Sequence, residues 1–218
     1  MLLDEVSKGN HRQLPMITSL WETQIQGQQF ARSHGFSEFR RTYTTALRLA
    51  SLQTLSYRPW VDELNDHYHI VPIANITDEA QRQQIALLCK EVYVAAHRDN
   101  PPANLSIAQW MDLVFVDDLI SHGSFIVQHQ SEFVAVALLH RGNGVDTVEL
   151  GWRGVTLSHR HRERTLMLAT AVLQAEYAVS QGAQAMVLEC DSTDPWSVCL
   201  IDMLPFSPSP AWVTLKRP

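Results

Sequence analysis

Apolar positions recur with two different periods along the chain, and they divide it into helices and strands. Over residues 17–33 the apolar positions have a loose helical spacing, which predicts a helix that ends at Gly35. Over residues 36–49 they recur every two or four residues, which predicts a strand. The segment 50–66 contains Pro59 and several polar residues and is predicted to be a linker. Residues 1–15 are polar and end at Pro15, so we expect a disordered or frayed start.

A second series of elements begins near His69 and continues to the end of the chain. A strand at 69–73 precedes a helix that Thr77 or Asp78 caps and that runs to about Ala96. Ser106 is the predicted cap of a further helix at 107–116, which continues towards residue 120. The remaining predicted elements are strands at 124–130, 133–140, 147–157, 186–190 and 211–216, with helices at 164–181 and 194–204.

This order predicts an α/β fold with a mixed central sheet flanked by helices. The helix at 164–181 would cross over between two parallel strands. The main domain would cover residues 67–218, preceded by a helix–strand extension and linker at 16–66. A lone helix and strand cannot bury their own apolar faces. We therefore expect the strand at 36–49 either to join the main sheet or to pair with a second subunit, which would make the protein a homodimer.

Composition narrows the classes of function. Hydrophobic residues make up 45% of the 218 residues and charged residues 18%, which is typical of a globular protein with a core. The net charge of −6 argues against nucleic acid as a partner. Three cysteines without a CxxC spacing, and the absence of a signal-peptide pattern, favour a cytoplasmic protein. No apolar run approaches the roughly 20 residues of a membrane span, so no membrane partner is expected.

A cationic turn between the strand at 147–157 and the long helix is the main chemical feature of the sequence. Within six residues it contains His159, Arg160, His161, Arg162 and Arg164. Unpaired N–H groups at a helix N-terminus, together with arginines, favour binding of a phosphate group. The alternative is a solvated turn in which Glu163 pairs with a neighbouring arginine. The turn has no metal-ligand spacing with nearby acids or cysteines, so no metal site is expected.

The order of elements and four segments resemble the GNAT superfamily of acyl-CoA-dependent N-acyltransferases. The segments are Gly-Val-Thr-Leu-Ser-His-Arg-His-Arg-Glu-Arg-Thr-Leu-Met-Leu-Ala (154–169), Ala-Glu-Tyr-Ala-Val-Ser-Gln-Gly-Ala (175–183), Asp-Ser-Thr-Asp-Pro-Trp (191–196) and Leu-Pro-Phe-Ser-Pro-Ser-Pro-Ala-Trp-Val-Thr-Leu (204–215). The resemblance implies the GNAT-like fold and acetyl-CoA as co-substrate. Residues 30–49 resemble the helix, Gly-Phe and strand that end such a domain, which implies a remnant of a second copy.

In that family, backbone N–H groups of an Arg/Gln-x-x-Gly-x-Gly/Ala turn hold the pyrophosphate of CoA, and the preceding strand pairs with the pantetheine amides. The motif arginine is Arg160 when the alignment is anchored on the strand and Arg162 when it is anchored on the helix, and we prefer Arg162. In either register the motif glycine is absent. The residues that the resemblance assigns to CoA are Val155, Thr156, Leu157, Arg160, His161, Arg162, Glu163, Arg164, Thr165 and Asp194.

For catalysis, the resemblance implies that Glu149 is the base that takes a proton from the amine, and His159 and Asp194 are further candidates. The alternative for Glu149 is an ordinary solvent-facing strand residue. Trp152 and the segment 110–120, with Asp112, Asp117 and Asp118, are candidates for the acceptor pocket. Ile201 replaces the tyrosine that protonates the leaving thiolate in many members.

Two functions therefore compete. The first is an acetyl-CoA-dependent N-acetyltransferase, in which a small amine attacks directly in a ternary complex. The second is a non-catalytic CoA-binding or protein-interaction module on a decayed GNAT scaffold. The glycine missing from the turn and Ile201 favour the second, and the basic turn favours retained binding of an anion.

Overall fold

A computed structural model describes residues 15–52, 54–64, 67–97 and 102–218. Its strands are β1 Met16–Trp21, β2 Ser37–Arg48, β3 His69–Pro72, β4 Phe125–His129, β5 Glu132–Arg141, β6 Thr147–Val155, β7 Ala185–Asp191 and β8 Trp212–Arg217. Its α-helices are α1 Ile25–Ser33, α2 Thr54–Leu64, α3 Glu79–Ala96, α4 Ile107–Val114, α5 Glu163–Ser180 and α6 Pro195–Met203. The expected frayed start at 1–15 lies outside the described residues, apart from Pro15.

The eight strands form one sheet in the order β1-β8-β2-β7-β6-β5-β4-β3. All neighbouring pairs are antiparallel except β6 and β7, which are parallel and connected by α5. This confirms the predicted α/β fold with a mixed sheet and a crossover helix. No helix in the described part of the chain is long and apolar enough to cross a bilayer.

Helices cover both faces of the sheet. Arg153 of β6 donates a hydrogen bond to Gln174 of α5. A Cβ added to the next residue, Gly154, would contact Val92 of α3. Because successive residues of a strand point to opposite faces, α3 and α5 lie on opposite sides of the sheet. α3 packs with α4, and α5 packs with α2 and α6. The apolar sides of these layers form the main core, in which α5 is buried along much of its length.

β2 is inserted between β7 and β8, so the N-terminal extension is part of the main sheet. Its Ser37–Thr42 half pairs with β8 and its Thr42–Arg48 half pairs with β7. This confirms the expectation that the strand at 36–49 joins the sheet. α1 covers a small separate core of Ala31, Phe36, Val213 and Leu215.

The structure corrects three sequence predictions. Residues 16–21, which we expected to begin a helix, form β1 because they pair along their length with β8. The predicted linker at 50–66 contains α2, which keeps Pro59 inside the helix while Val61 and Leu64 are buried in the core. Burial of this apolar side offsets the hydrogen bond that proline cannot donate. The helix that Ser106 caps ends at Val114 and does not continue towards residue 120.

Candidate functional site

β6 and β7 pair only over their first halves and then diverge. Their parallel pairing runs from Thr147 opposite Ala185 to Leu150 opposite Leu188, and it stops there. Both strands continue, β6 to Val155 and β7 to Asp191. A cleft therefore opens at the centre of the sheet, at the carboxyl ends of the only two parallel strands among the described residues.

A β-bulge in β6 lies where the strands part. Leu139 of β5 is opposite Leu150, and Ala137 is opposite Arg153, so two residues of β6 oppose one of β5. The Arg153 guanidinium is 2% exposed and holds this bulge from behind, donating to the carbonyl of Gly151 at 3.2 Å and that of Leu138 at 3.4 Å. Burial lowers the pKa of Arg153 to about 10, although the charge of Asp194 opposes the shift.

The cleft has a volume of about 510 Å³, which is enough for a small molecule. β5, β6, β7 and β2 form its floor, the C-terminal end of α3 forms one wall, and the start of α6 forms another. Glu149, the predicted base, lines it. The other polar side chains that line it are Thr42, Tyr93, His97, Asp118, His140, Glu189, Asp191, Asp194 and Ser197.

His140 of β5 is the cross-strand neighbour of Glu149 and faces the same cleft. Its Nδ1 lies 3.4 Å from Asp118 Oδ1, and its side chain is 16% exposed. The ring covers Gly151, where an added Cβ would lie only 2.4 Å from the His140 Cδ2 atom. Asp118 and the glycine thus orient the imidazole beside the carboxylate of Glu149.

Three rings form an aromatic wall of the cleft. Tyr93 and His97 are one turn apart on α3 and stack at 3.9 Å between centroids, and Tyr93 meets Trp152 edge-on at 5.4 Å. Trp152 reaches the wall because it belongs to the bulge. Trp152, a predicted candidate for the acceptor pocket, therefore lines the cleft. Of the segment 110–120, Leu113, Val116 and Asp118 line the cleft.

Asp194 lies at the edge of the cleft and caps α6. Its Oδ1 accepts hydrogen bonds from the backbone N–H of Trp196 at 3.0 Å and of Ser197 at 3.3 Å. Burial raises the pKa of Asp194, and these hydrogen bonds oppose the shift. Cys190 also lines the cleft, but burial raises the pKa of its thiol to about 12, which makes it a poor nucleophile.

A second cavity, an apolar groove of about 590 Å³, lies between α3 and the end of β6. Val155 and Leu157 line it, with Arg160 and Lys90 as its basic residues. Trp196 also lines the groove, and its ring lies 3.0 Å from where a Cβ on Gly154 would be. The Trp196 Nε1 atom is buried and has no hydrogen-bond partner in the described part of the chain.

The basic turn folds as a 3₁₀ helix, Leu157–Arg162, that leads directly into α5. The N–H of His159 donates to the carbonyl of Thr156 at 3.1 Å, and the N–H of Glu163 donates to that of Arg160. Arg160 lies 3.6 Å from Glu163, and Arg162 lies 3.1 Å from Glu63 of α2. Two backbone N–H groups of the turn and two of its arginines therefore have partners within the protein. This agrees with the alternative in which Glu163 pairs with a neighbouring arginine.

The structure brings only some of the residues assigned to CoA to one place. Val155, Leu157 and Arg160 share the groove, whereas Asp194 faces the cleft. Arg164 and His161 are exposed. Thr156 bonds locally to Ser158 and His159, and Thr165 is buried within α5. His159 packs against Tyr68 and His129 away from Glu149, and burial lowers its pKa.

Sequence reasoning missed His140, His97, Glu189 and Arg153. The alternation of residues along a strand assigns His140 and Glu149 each to one face of its own strand. It does not show that they are neighbours, which depends on the register of β5 against β6. Arg153 did carry a signal, because it interrupts an otherwise apolar strand end. Its polar partner Gln174 likewise interrupts an apolar helix.

Solved structures share this architecture. A GCN5-related N-acetyltransferase from Sphaerobacter thermophilus aligns with 100% of this chain and 65% of its own, with a TM-score of 0.67 and 12% identity. One from Kribbella flavida aligns over 93% and 68%, with a TM-score of 0.53 and 18% identity. A tandem GNAT protein from the clavulanic acid biosynthesis pathway aligns over 97% and 66%, with a TM-score of 0.58 and 14% identity.

No protein-family model and no curated protein matches the sequence. The chain spans 65% of the length of the Sphaerobacter protein, so it corresponds to part of that chain. At identities of 12–18% the similarity is one of fold. It agrees with the sheet described above, with its parallel strand pair and crossover helix. This chain has the fold of the GNAT N-acetyltransferases.

Proposed function

We propose that this protein is an acetyl-CoA-dependent N-acetyltransferase acting on a small amine. The observation that carries the proposal is the cleft between diverging β6 and β7, with Glu149 and His140 beside a bulge. Such a cleft admits an amine from one side and leaves the unpaired edge of β6 for a second molecule. The GNAT fold makes acetyl transfer the first reaction to test.

Glu149 is the proposed base, and His140 is its neighbour. The amine must lose a proton as it attacks, and the Glu149 carboxylate accepts that proton, directly or through one water. His140, held by Asp118, orients the attacking nitrogen from the adjacent strand. Acetyl-CoA supplies the thioester: the nitrogen bonds to its carbonyl carbon, the carbon–sulfur bond breaks, and the sulfur leaves as a thiolate. Ile201 cannot donate a proton, so water protonates that thiolate.

The residues present fit CoA through side chains rather than through backbone N–H groups. The apolar groove with Val155 and Leu157 suits an apolar arm, and Arg160 and Lys90 suit its phosphates. In the 3₁₀ helix, backbone N–H groups donate to carbonyl groups of the turn itself, whereas a glycine-rich turn would leave them free to bind phosphate. We therefore infer that CoA binds more weakly here than in a site where free backbone N–H groups hold its pyrophosphate.

The second candidate, a non-catalytic CoA-binding or interaction module, is favoured by the internal pairing of Arg160 and Arg162. Thermal unfolding with acetyl-CoA separates the two candidates. A ligand at 100 times its dissociation constant stabilises a protein by about 2.7 kcal/mol. A thermal shift combined with CoA release on adding amines supports the enzyme. A shift without release across an amine panel supports the binding module, and no shift at millimolar acetyl-CoA refutes both.

Two variants and one control locate the sites. Arg160→Gln should abolish most of the acetyl-CoA shift, whereas Arg58→Gln, which removes a surface arginine paired with Glu176, should retain it. Glu149→Gln should retain the shift and lose CoA release. If Arg160→Gln retains the full shift, the groove is not the phosphate site.

We also propose that the extension at 16–66 is a remnant of a second GNAT copy. α1, Gly35 and β2 repeat the helix–turn–strand order of α6, Pro205-Phe206 and β8. A tandem GNAT protein is among the similar structures, and this supports the proposal. Statistical comparison of the two segments across related sequences would test it, and a lack of excess similarity would contradict it.

A further inference from the structure

We propose that the acceptor is a small organic dication, a primary amine that carries a second positive charge. This inference rests on the proposed function, because it assigns the acceptor of the same cleft. It is argued from the charge of the cleft, from the placement of two carboxylates without partners, and from the aromatic wall.

The described residues that line the cleft include five carboxylates and neither a lysine nor an arginine. Three carboxylates already have partners. Asp191 binds Arg40 at 2.7 Å, Asp118 binds His140, and Asp194 caps α6. The side chains of Glu149 and Glu189 form no hydrogen bond or ion pair within the described part of the chain, although both residues line the cleft. Two negative charges are thus available to a ligand.

The register of the strands sets these two carboxylates side by side. Glu149 is opposite Val187 in the parallel pair, and Glu189 is two residues further along β7. Paired residues and residues two apart share a face of the sheet, so both side chains point to the α3 side. From the strand rise and spacing, their Cα atoms are at least roughly 8 Å apart, because Glu189 lies just beyond the point where the strands diverge. Each can face one end of a short diamine.

The aromatic wall completes the recognition. Tyr93 and Trp152 line the cleft next to the carboxylates. Aromatic faces attract cations, and they also pack against the methylene groups between two ammonium groups. A monoamine would satisfy only one carboxylate. An amine with a carboxylate at its far end would place like charges together near Glu189, which disfavours amino acids as acceptors.

The test compares three acceptors of similar length in a CoA-release assay: diaminobutane, butylamine and aminobutyrate. We expect kcat/KM for diaminobutane to exceed that for butylamine by about tenfold at low salt, with aminobutyrate lowest. The preference should fall as salt is raised, because exposed charges are screened. Equal kcat/KM for diaminobutane and butylamine would overturn the inference while leaving the acetyltransferase intact.

Glu189→Gln makes the test residue-specific. It should lower kcat/KM for diaminobutane by about tenfold and leave that for butylamine nearly unchanged. Glu79→Gln is the matched control, since it removes the same charge from the first turn of α3, outside the cleft. If Glu189→Gln lowers kcat/KM for both amines equally, Glu189 does not bind the second positive charge and the inference fails. Absence of CoA release with all amines, together with no acetyl-CoA shift, refutes the proposed function instead.

Discussion

The sharpest stability prediction concerns Trp196, a residue that lines the groove and is 2% exposed. Trp196→Ala removes a large buried ring packed against Gly154 and should cost about 3–5 kcal/mol. Trp196→Phe keeps a ring and loses roughly 1–2 kcal/mol of packing. It also removes the buried Nε1–H, which has no partner among the described residues. Removing this unsatisfied donor should stabilise the folded state by about 1–3 kcal/mol. The phenylalanine variant should therefore lie between about 1 kcal/mol less stable and about 2 kcal/mol more stable than the unsubstituted protein.

Urea unfolding followed by far-UV circular dichroism measures both variants. Thermal unfolding is a second measure: for a chain of 218 residues, about 1 kcal/mol corresponds to roughly 2–4 °C in Tm, so the Tm of the alanine variant should be roughly 6–20 °C lower. Comparing the two variants isolates the ring, because both lack the N–H and only one keeps a ring. Comparing Trp196→Phe with the unsubstituted protein tests the N–H. If Trp196→Phe is as unstable as Trp196→Ala, the indole N–H makes a hydrogen bond and the reasoning fails.

Four further variants, at three positions, test the site and its surroundings. Gly151→Ala should turn the His140 ring away from Asp118, costing about 1–3 kcal/mol in urea unfolding and most of the CoA release; unchanged activity would contradict the assigned geometry. Asp194→Ala should lose about 1 kcal/mol of helix capping, whereas Asp194→Asn should keep the cap and avoid a buried charge. The lowered pKa of His159 stabilises the protein above pH 6.5, and this contribution is lost as pH falls below it. Tm should therefore fall less steeply with acid in His159→Gln, and parallel curves would show that His159 does not contribute.

Local signals predicted most elements of the main domain. Asp78 and Ser106 cap α3 and α4 as expected, because a side-chain oxygen can accept from N–H groups a few residues away regardless of the rest of the fold. The strands from β4 to β8 also lie where alternation placed them. Helix ends and strand periods depend on near neighbours, so they can be read from one sequence.

Predictions failed where a distant partner decided the conformation. Residues 16–21 suit either a helix or a strand, and β8, nearly two hundred residues later, makes them a strand. α2 forms around Pro59 because its apolar side is buried against α5. Neither partner is adjacent in sequence, so no local pattern contained the answer.

The sequence by itself determined the order of helices and strands from β3 onwards and the basic turn before α5, and its resemblance to the GNAT superfamily made Glu149 a candidate. Only the tertiary structure decided that the arginines of this turn pair with Glu163 and Glu63, and that His140 and Glu189 join Glu149 in one cleft. The reason is physical: the charge available to a ligand depends on which partners reach it, and strand register and helix packing set those partners. The turn is where expected, but much of its charge is used within the protein.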